Sequence, residues 1–111
     1  MPLTWIIGYR VKGGKEGDFQ RYLASAEFKA LRATLEAETG IRILSTYFSV
    51  EPSSTETGDY PAWDIWELPN YAAIDRYVKS KARKQFLREY IAPFVESGYK
   101  WITAEQVAYL K

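Results

Sequence analysis

The chain has no cysteine, no histidine and a single methionine in its 111 residues. Without cysteine there are no disulfides, thiolate nucleophiles or cysteine-ligated metals, and nothing in the composition marks a redox compartment. Without histidine the commonest general base and the commonest metal ligand are both missing. An excess of one charge is lacking too. The 15 Lys and Arg against 14 Asp and Glu leave a net charge of +1, too small to draw nucleic acid or an anionic membrane to the surface. No apolar run approaches the ~20 residues of a membrane span, and the start from Met1 to Arg10 has no basic segment followed by a long apolar one. The expectation is a cytoplasmic protein with neither membrane nor nucleic acid as partner.

Motifs for bound groups are also scarce. Gly13-Gly14 fits neither a GxGxxG nor a P-loop pattern. The acids Glu36, Glu38, Glu51, Glu56 and Asp59 lack the spacing of a metal loop. Neither a metal nor another cofactor is expected. The basic run Lys79, Lys81, Arg83, Lys84 and Arg88 reads as a solvated helix surface.

Aromatic residues are what the chain does have: they make up 16% of it, with nine Tyr and four Trp. So many rings require a core, an interface or a pocket. A chain of this length buries about two-thirds of its unfolded surface, enough for one core, so residues 1–111 are expected to form a single domain.

Trp5 to Val11 reads as an interior strand with Trp5, Ile7, Tyr9 and Val11 on one face. A helix capped by Asp18 is expected to run to about Thr39, with Gly40 as its C′ residue. Phe19, Tyr22, Leu23, Ala26, Ala30, Ala33 and Ala37 form one stripe on it, and Phe28, Leu31 and Leu35 fall well round the helix from that stripe. The helix therefore needs two apolar neighbours or a bend near Ser25; a partner subunit is the simpler expectation.

Ile41 to Val50 reads as a second strand, and the turn-rich stretch from Ser53 to Pro61 as a long hairpin loop. The third strand is Ala62-Trp63-Asp64-Ile65-Trp66-Glu67-Leu68. Asn70 and Ser80 are caps for a two-part helix ending near Pro93, and Gly98 to Lys111 alternates like one bent strand or two short ones. The order β-α-β-β-α-β is the ferredoxin-like pattern: an α+β fold with a four-stranded antiparallel sheet and both helices on one side. Its other face would then expose aromatic and apolar residues in either register, a patch larger than a monomer normally carries. A second copy, sheet against sheet about a two-fold axis, would close it into a dimeric barrel.

The run Trp63-Asp64-Ile65-Trp66-Glu67, then Ala73-Ile74, Tyr77-Val78-Lys79-Ser80 and Phe86-Leu87, resembles the dimeric α/β-barrel superfamily, and within it the antibiotic-biosynthesis monooxygenase-like proteins. The segment Arg10-Val11-Lys12-Gly13-Gly14-Lys15, followed by an acid and Phe19, is similar as well. The resemblance implies a homodimer with a pocket between sheet and helices. Tyr77 stands where many such proteins carry a helix histidine, which disfavours histidine-ligated haem chemistry.

Two readings of the function stay open. One is a cofactor-independent, monooxygenase-like enzyme acting on a hydrophobic aromatic metabolite. The other is a non-catalytic small-molecule-binding or structural dimer. Asp64 is the candidate base, because burial beside rings would raise its pKa; a salt bridge with Arg10 or a place at a solvated edge is the alternative. Trp66, Tyr9, Tyr47, Tyr77 and Arg10 are the candidate ligand-binding residues. Asp64, Trp66 and Leu68 are expected to face the inter-subunit barrel, with Trp63 and Ile65 toward the helices; a bulge would invert this.

Overall fold

The computed structural model describes residues 2–49, 61–96 and 98–108. Strand β1 is Leu3–Tyr9, β2 Arg42–Phe48, β3 Ala62–Leu68 and β4 Lys100–Glu105. They form one antiparallel sheet in the order β2-β3-β1-β4. β1 is interior, as its two apolar faces require. The helices lie between β1 and β2 and between β3 and β4, so the fold is α+β and ferredoxin-like.

The first helical segment is two helices, α1 Glu16–Leu23 and α2 Ala26–Thr39. The break at Ala24–Ser25 is capped by Ser25, whose hydroxyl accepts from the Phe28 N–H at 3.1 Å. This break resolves the two stripes. Phe19 is buried from α1, and Phe28, Leu31 and Leu35 from α2, while Ala26, Ala30, Ala33 and Ala37 are exposed. The preference for a second apolar neighbour along one long helix is thus corrected: the bend at Ser25, the alternative, lets one core take Phe19 from α1 and Phe28, Leu31 and Leu35 from α2. Alanine on the outer face follows from its helix propensity. Asp18 is not the cap either; Lys15 occupies that position and Asp18 lies in the first turn. Gly40 ends α2 at φ 79°, a left-handed conformation that favours glycine.

The Asn70 side chain accepts from the Ala73 N–H at 3.1 Å at the start of α3, Ala72–Lys79. The Ser80 hydroxyl accepts from the Arg83 N–H at 3.0 Å and starts α4, Lys81–Phe86. A π-helical turn, Leu87–Ile91, and a short α5, Ala92–Phe94, continue it past Tyr90. The loop expected at 53–61 lies outside the described residues except for Pro61, whose carbonyl accepts from the Ser49 N–H at 2.8 Å. The last segment holds one strand ending at Glu105; residues 109–111 lie outside the described set.

One face of the sheet packs on the helices through Leu3, Trp5, Ile7, Tyr9, Ala62, Trp66 and Leu68. The other is open. Its paired rows include Ile6, Ile65 and Ile102 in one line and Trp63 and Tyr47 in the next. Ile102 is 43% exposed and Tyr47 58%.

Candidate functional site

Along β3 burial alternates with the pleat: Ala62, Asp64, Trp66 and Leu68 are buried, and Trp63, Ile65 and Glu67 are half-buried. The buried set faces the helices. The Trp66 ring centroid is 5.0 Å from that of Phe86 and 6.0 Å from that of Tyr77. The expected polarity of this strand is therefore corrected, and it is Trp63 and Ile65 that look out from the open face. Both sets contain tryptophan, so alternation defined two faces without showing which one the helices cover.

Asp64 is 1% exposed and surrounded by donors. The Tyr9 hydroxyl lies 2.6 Å from Oδ1 and the Tyr90 hydroxyl 2.6 Å from Oδ2. The Thr46 hydroxyl reaches Oδ1 at 2.9 Å and the Trp66 indole N–H reaches Oδ2 at 3.2 Å. The two phenol oxygens are also 2.9 Å apart. β1, β2, β3 and the helical segment after α4 each deliver one or more of these groups, and their register sets them opposite one another: Asp64 pairs with Thr46 on one side and Ile7 on the other.

The hydrogens can be counted. Each phenol, the threonine hydroxyl and the indole supplies one, four in all, against five close contacts. An ionised Asp64 supplies none, which leaves the two phenol oxygens facing each other without a hydrogen. A proton on the carboxyl would supply the fifth and close a ring in which Asp64, Tyr9 and Tyr90 each donate to the next. Burial raises the Asp64 pKa, opposed by the four hydrogen bonds. Among the described residues no lysine or arginine forms an ion pair with it. Burial also raises the Tyr9 and Tyr90 pKa values, with the nearby Asp64 adding to the effect.

A second cluster lies beyond Trp66, toward the β4 edge of the sheet. A pocket of about 390 Å³ opens there between β4, α3 and α4, lined by Trp5, Tyr77, Arg83, Tyr99, Trp101 and Thr103 with Ile74, Val78 and Leu87. The Trp5 and Trp101 rings meet edge to face at 4.8 Å, and Trp5 and Tyr77 do so at 5.2 Å. The Trp5 indole donates to the Thr103 hydroxyl at 3.0 Å. Burial raises the Tyr77 pKa, opposed by Arg83. Trp66 touches both clusters, with its indole N–H on Asp64 and its ring 5.3 Å from Trp101.

Of the residues singled out in the sequence, Tyr9, Asp64 and Trp66 come together in the sealed ring, and Tyr77 lines the pocket. Tyr47 is on the open face. Arg10 pairs with Glu96 at 3.7 Å, and Glu67 with Arg42 at 3.4 Å, in place of the expected pairing of Arg10 with Asp64 or Glu67. Sequence reasoning did not assign Thr46, Tyr90, Arg83 or Trp101 to a site. Arg83 is also a correction to the solvated basic surface, since it turns into the pocket wall while Lys79, Lys81, Lys84 and Arg88 are exposed.

No protein-family model matches the chain, and no curated protein matches it by sequence. Its fold is that of the ferredoxin-like proteins among solved structures. A DABB family protein with a ferredoxin-like fold from Mesorhizobium loti superposes with a TM-score of 0.66 at 16% identity, covering 96% of this chain and 98% of that one. A NIPSNAP-like domain protein from Burkholderia xenovorans gives 0.65 at 10% identity, covering 99% and 89%. A dimeric ferredoxin-like protein of unknown function from Jannaschia gives 0.62 at 17% identity, covering 96% and 100%. No described helix is long and apolar enough to cross a membrane.

Proposed function

We propose that this protein is a homodimer that binds a hydrophobic aromatic small molecule in the pocket at the β4 edge. The observation that carries the reading is the pocket wall: Trp5, Tyr77 and Trp101 meet around a space of about 390 Å³, within the ~300–1,000 Å³ range of small-molecule sites. Trp66 backs these rings. Tyr9 and Asp64 stabilise the floor behind Trp66, and Tyr47 and Arg10 lie away from the ligand. The dimer is supported by the open face, where Ile6, Ile65, Trp63, Tyr47 and Ile102 make an apolar surface that a second sheet would cover. A structural neighbour described as dimeric lends further support.

Two measurements test this. Light scattering on the purified chain is expected to give twice the monomer mass, and Ile65→Glu to halve it; a wild-type monomer would refute the dimer. Titration with naphthalenemethanol is expected to quench tryptophan fluorescence saturably, and Trp101→Ala to abolish the saturation. Quenching that Trp101→Ala leaves intact would refute the pocket.

A second reading, a cofactor-independent monooxygenase-like enzyme with Asp64 as base, is supported by one specific feature. Thr46, bonded to Asp64, also lines a separate cleft of about 280 Å³ with Leu23, Phe28, Arg32 and Ile43. That reading requires oxygen uptake with a phenolic substrate that Asp64→Asn removes.

A further inference from the structure

The pocket wall carries more chemical information than its rings. Resting on the pocket reading above, we infer that the ligand is an aromatic carboxylate, its ring against the Trp5 and Trp101 wall and its anionic group on Arg83 and the Tyr77 hydroxyl.

Arg83 is the one charged side chain on the described wall, and no acid accompanies it there. Among the described residues it forms no ion pair, whereas Arg10, Arg21, Arg42 and Arg88 each do. Its place is set by the chain, because the Ser80 cap fixes the first turn of α4 and so brings residue 83 over the pocket. Tyr77 is only 6% exposed, yet its hydroxyl makes no hydrogen bond with a described residue. It is also not among the fully enclosed oxygens left unpartnered, of which the described residues show one, on Tyr22. The Tyr77 hydroxyl therefore meets the pocket space rather than the core. Thr103 adds a third polar group: it accepts from Trp5 and keeps its own hydrogen to donate. A guanidinium with two hydroxyl donors on an otherwise apolar wall matches a carboxylate, which offers acceptors only. A neutral aromatic would leave the arginine without a counter-charge next to apolar surface.

The test compares naphthoate with its neutral isostere naphthalenemethanol on the full chain, by calorimetry and tryptophan quenching. Naphthoate is expected to bind about tenfold more tightly or better, the effect of one charge-assisted contact. Arg83→Gln is expected to abolish the naphthoate preference, bringing the two affinities together. Tyr77→Phe is expected to weaken naphthoate alone by a few-fold. Equal wild-type affinities, or a naphthoate preference that survives in Arg83→Gln, would overturn the carboxylate inference and leave the pocket standing. Binding of neither compound would remove the pocket reading and this inference with it.

Discussion

Asp64 and Arg83 are two charged residue types placed beside the same aromatic cluster, and the structure treats them in opposite ways. Asp64 is enclosed by Tyr9, Tyr90, Thr46 and Trp66, with every neighbouring polar hydrogen directed at it or at its partners. Arg83 stands on the rim of an open pocket among rings, with no ion-pair partner among the described residues. A buried polar group with all its contacts filled rigidifies a core, while a polar group left over in an apolar recess is free to meet a ligand. Trp66 links the two regions: its N–H bonds to Asp64 and its ring packs edge to face with Tyr77 and Trp101 of the pocket wall. The ring therefore holds the back wall of the pocket in place, and stability and binding should separate when the two sides are altered one at a time.

The largest effect is expected from Asp64→Ala, which removes the shared partner of Tyr9, Tyr90, Thr46 and Trp66 in the core. Urea unfolding should show a loss of roughly 3–5 kcal/mol. A loss under about 1 kcal/mol would mean that the ring does not hold the core. The next effect is on pH. The folded chain holds the Asp64 proton more tightly than the unfolded chain does, because burial raises its pKa. Below the ordinary carboxylate range, near pH ~4, both states carry that proton and its stabilisation is fully present. As pH rises toward the folded value the unfolded chain releases its proton first, so stability falls, by up to about 1.4 kcal/mol per pH unit. Urea midpoints should therefore decline as pH rises above about 5, and Asp64→Asn should remove the slope. Midpoints that stay flat above about pH 5 would show an ionised Asp64. Tyr90→Phe removes one ring hydrogen and should lower stability by about 1–2 kcal/mol. Arg83→Gln should sit at the other end of the scale, within about 0.5 kcal/mol of the wild type in urea, although naphthoate binding falls.

Much of the architecture was legible in the sequence. Gly40, Asn70 and Ser80 punctuate the chain where the helices end or start, and the resulting element order has few compact solutions. What was not legible depended on phase and on contacts distant in sequence. Ser25 could be read either as one residue inside a long helix or as a cap, and only the cap makes Phe19 and Phe28 share a core. β3 carries tryptophan on both faces, so its period of two could not show which face meets the helices. Tyr90 reaches Asp64 from a π-helical turn, a local widening for which the apolar spacing of Phe86, Leu87, Tyr90 and Ile91 gave no sign. Arg83 was hidden by its neighbours, since a run of five basic residues reads as uniform surface when only one turns inward.

The four tryptophans allow the central claim, that ligand enters at the β4 edge and leaves the open sheet face alone, to be tested in one experiment. Trp5 and Trp101 line the pocket, Trp66 stands behind it, and Trp63 lies on the far side of the sheet. Fluorine NMR of the fluorotryptophan-labelled chain, titrated with naphthoate, should shift the Trp5 and Trp101 signals most and Trp66 less, with Trp63 fixed. A moving Trp63 with Trp5 and Trp101 unchanged would place the ligand on the open face and contradict the claim.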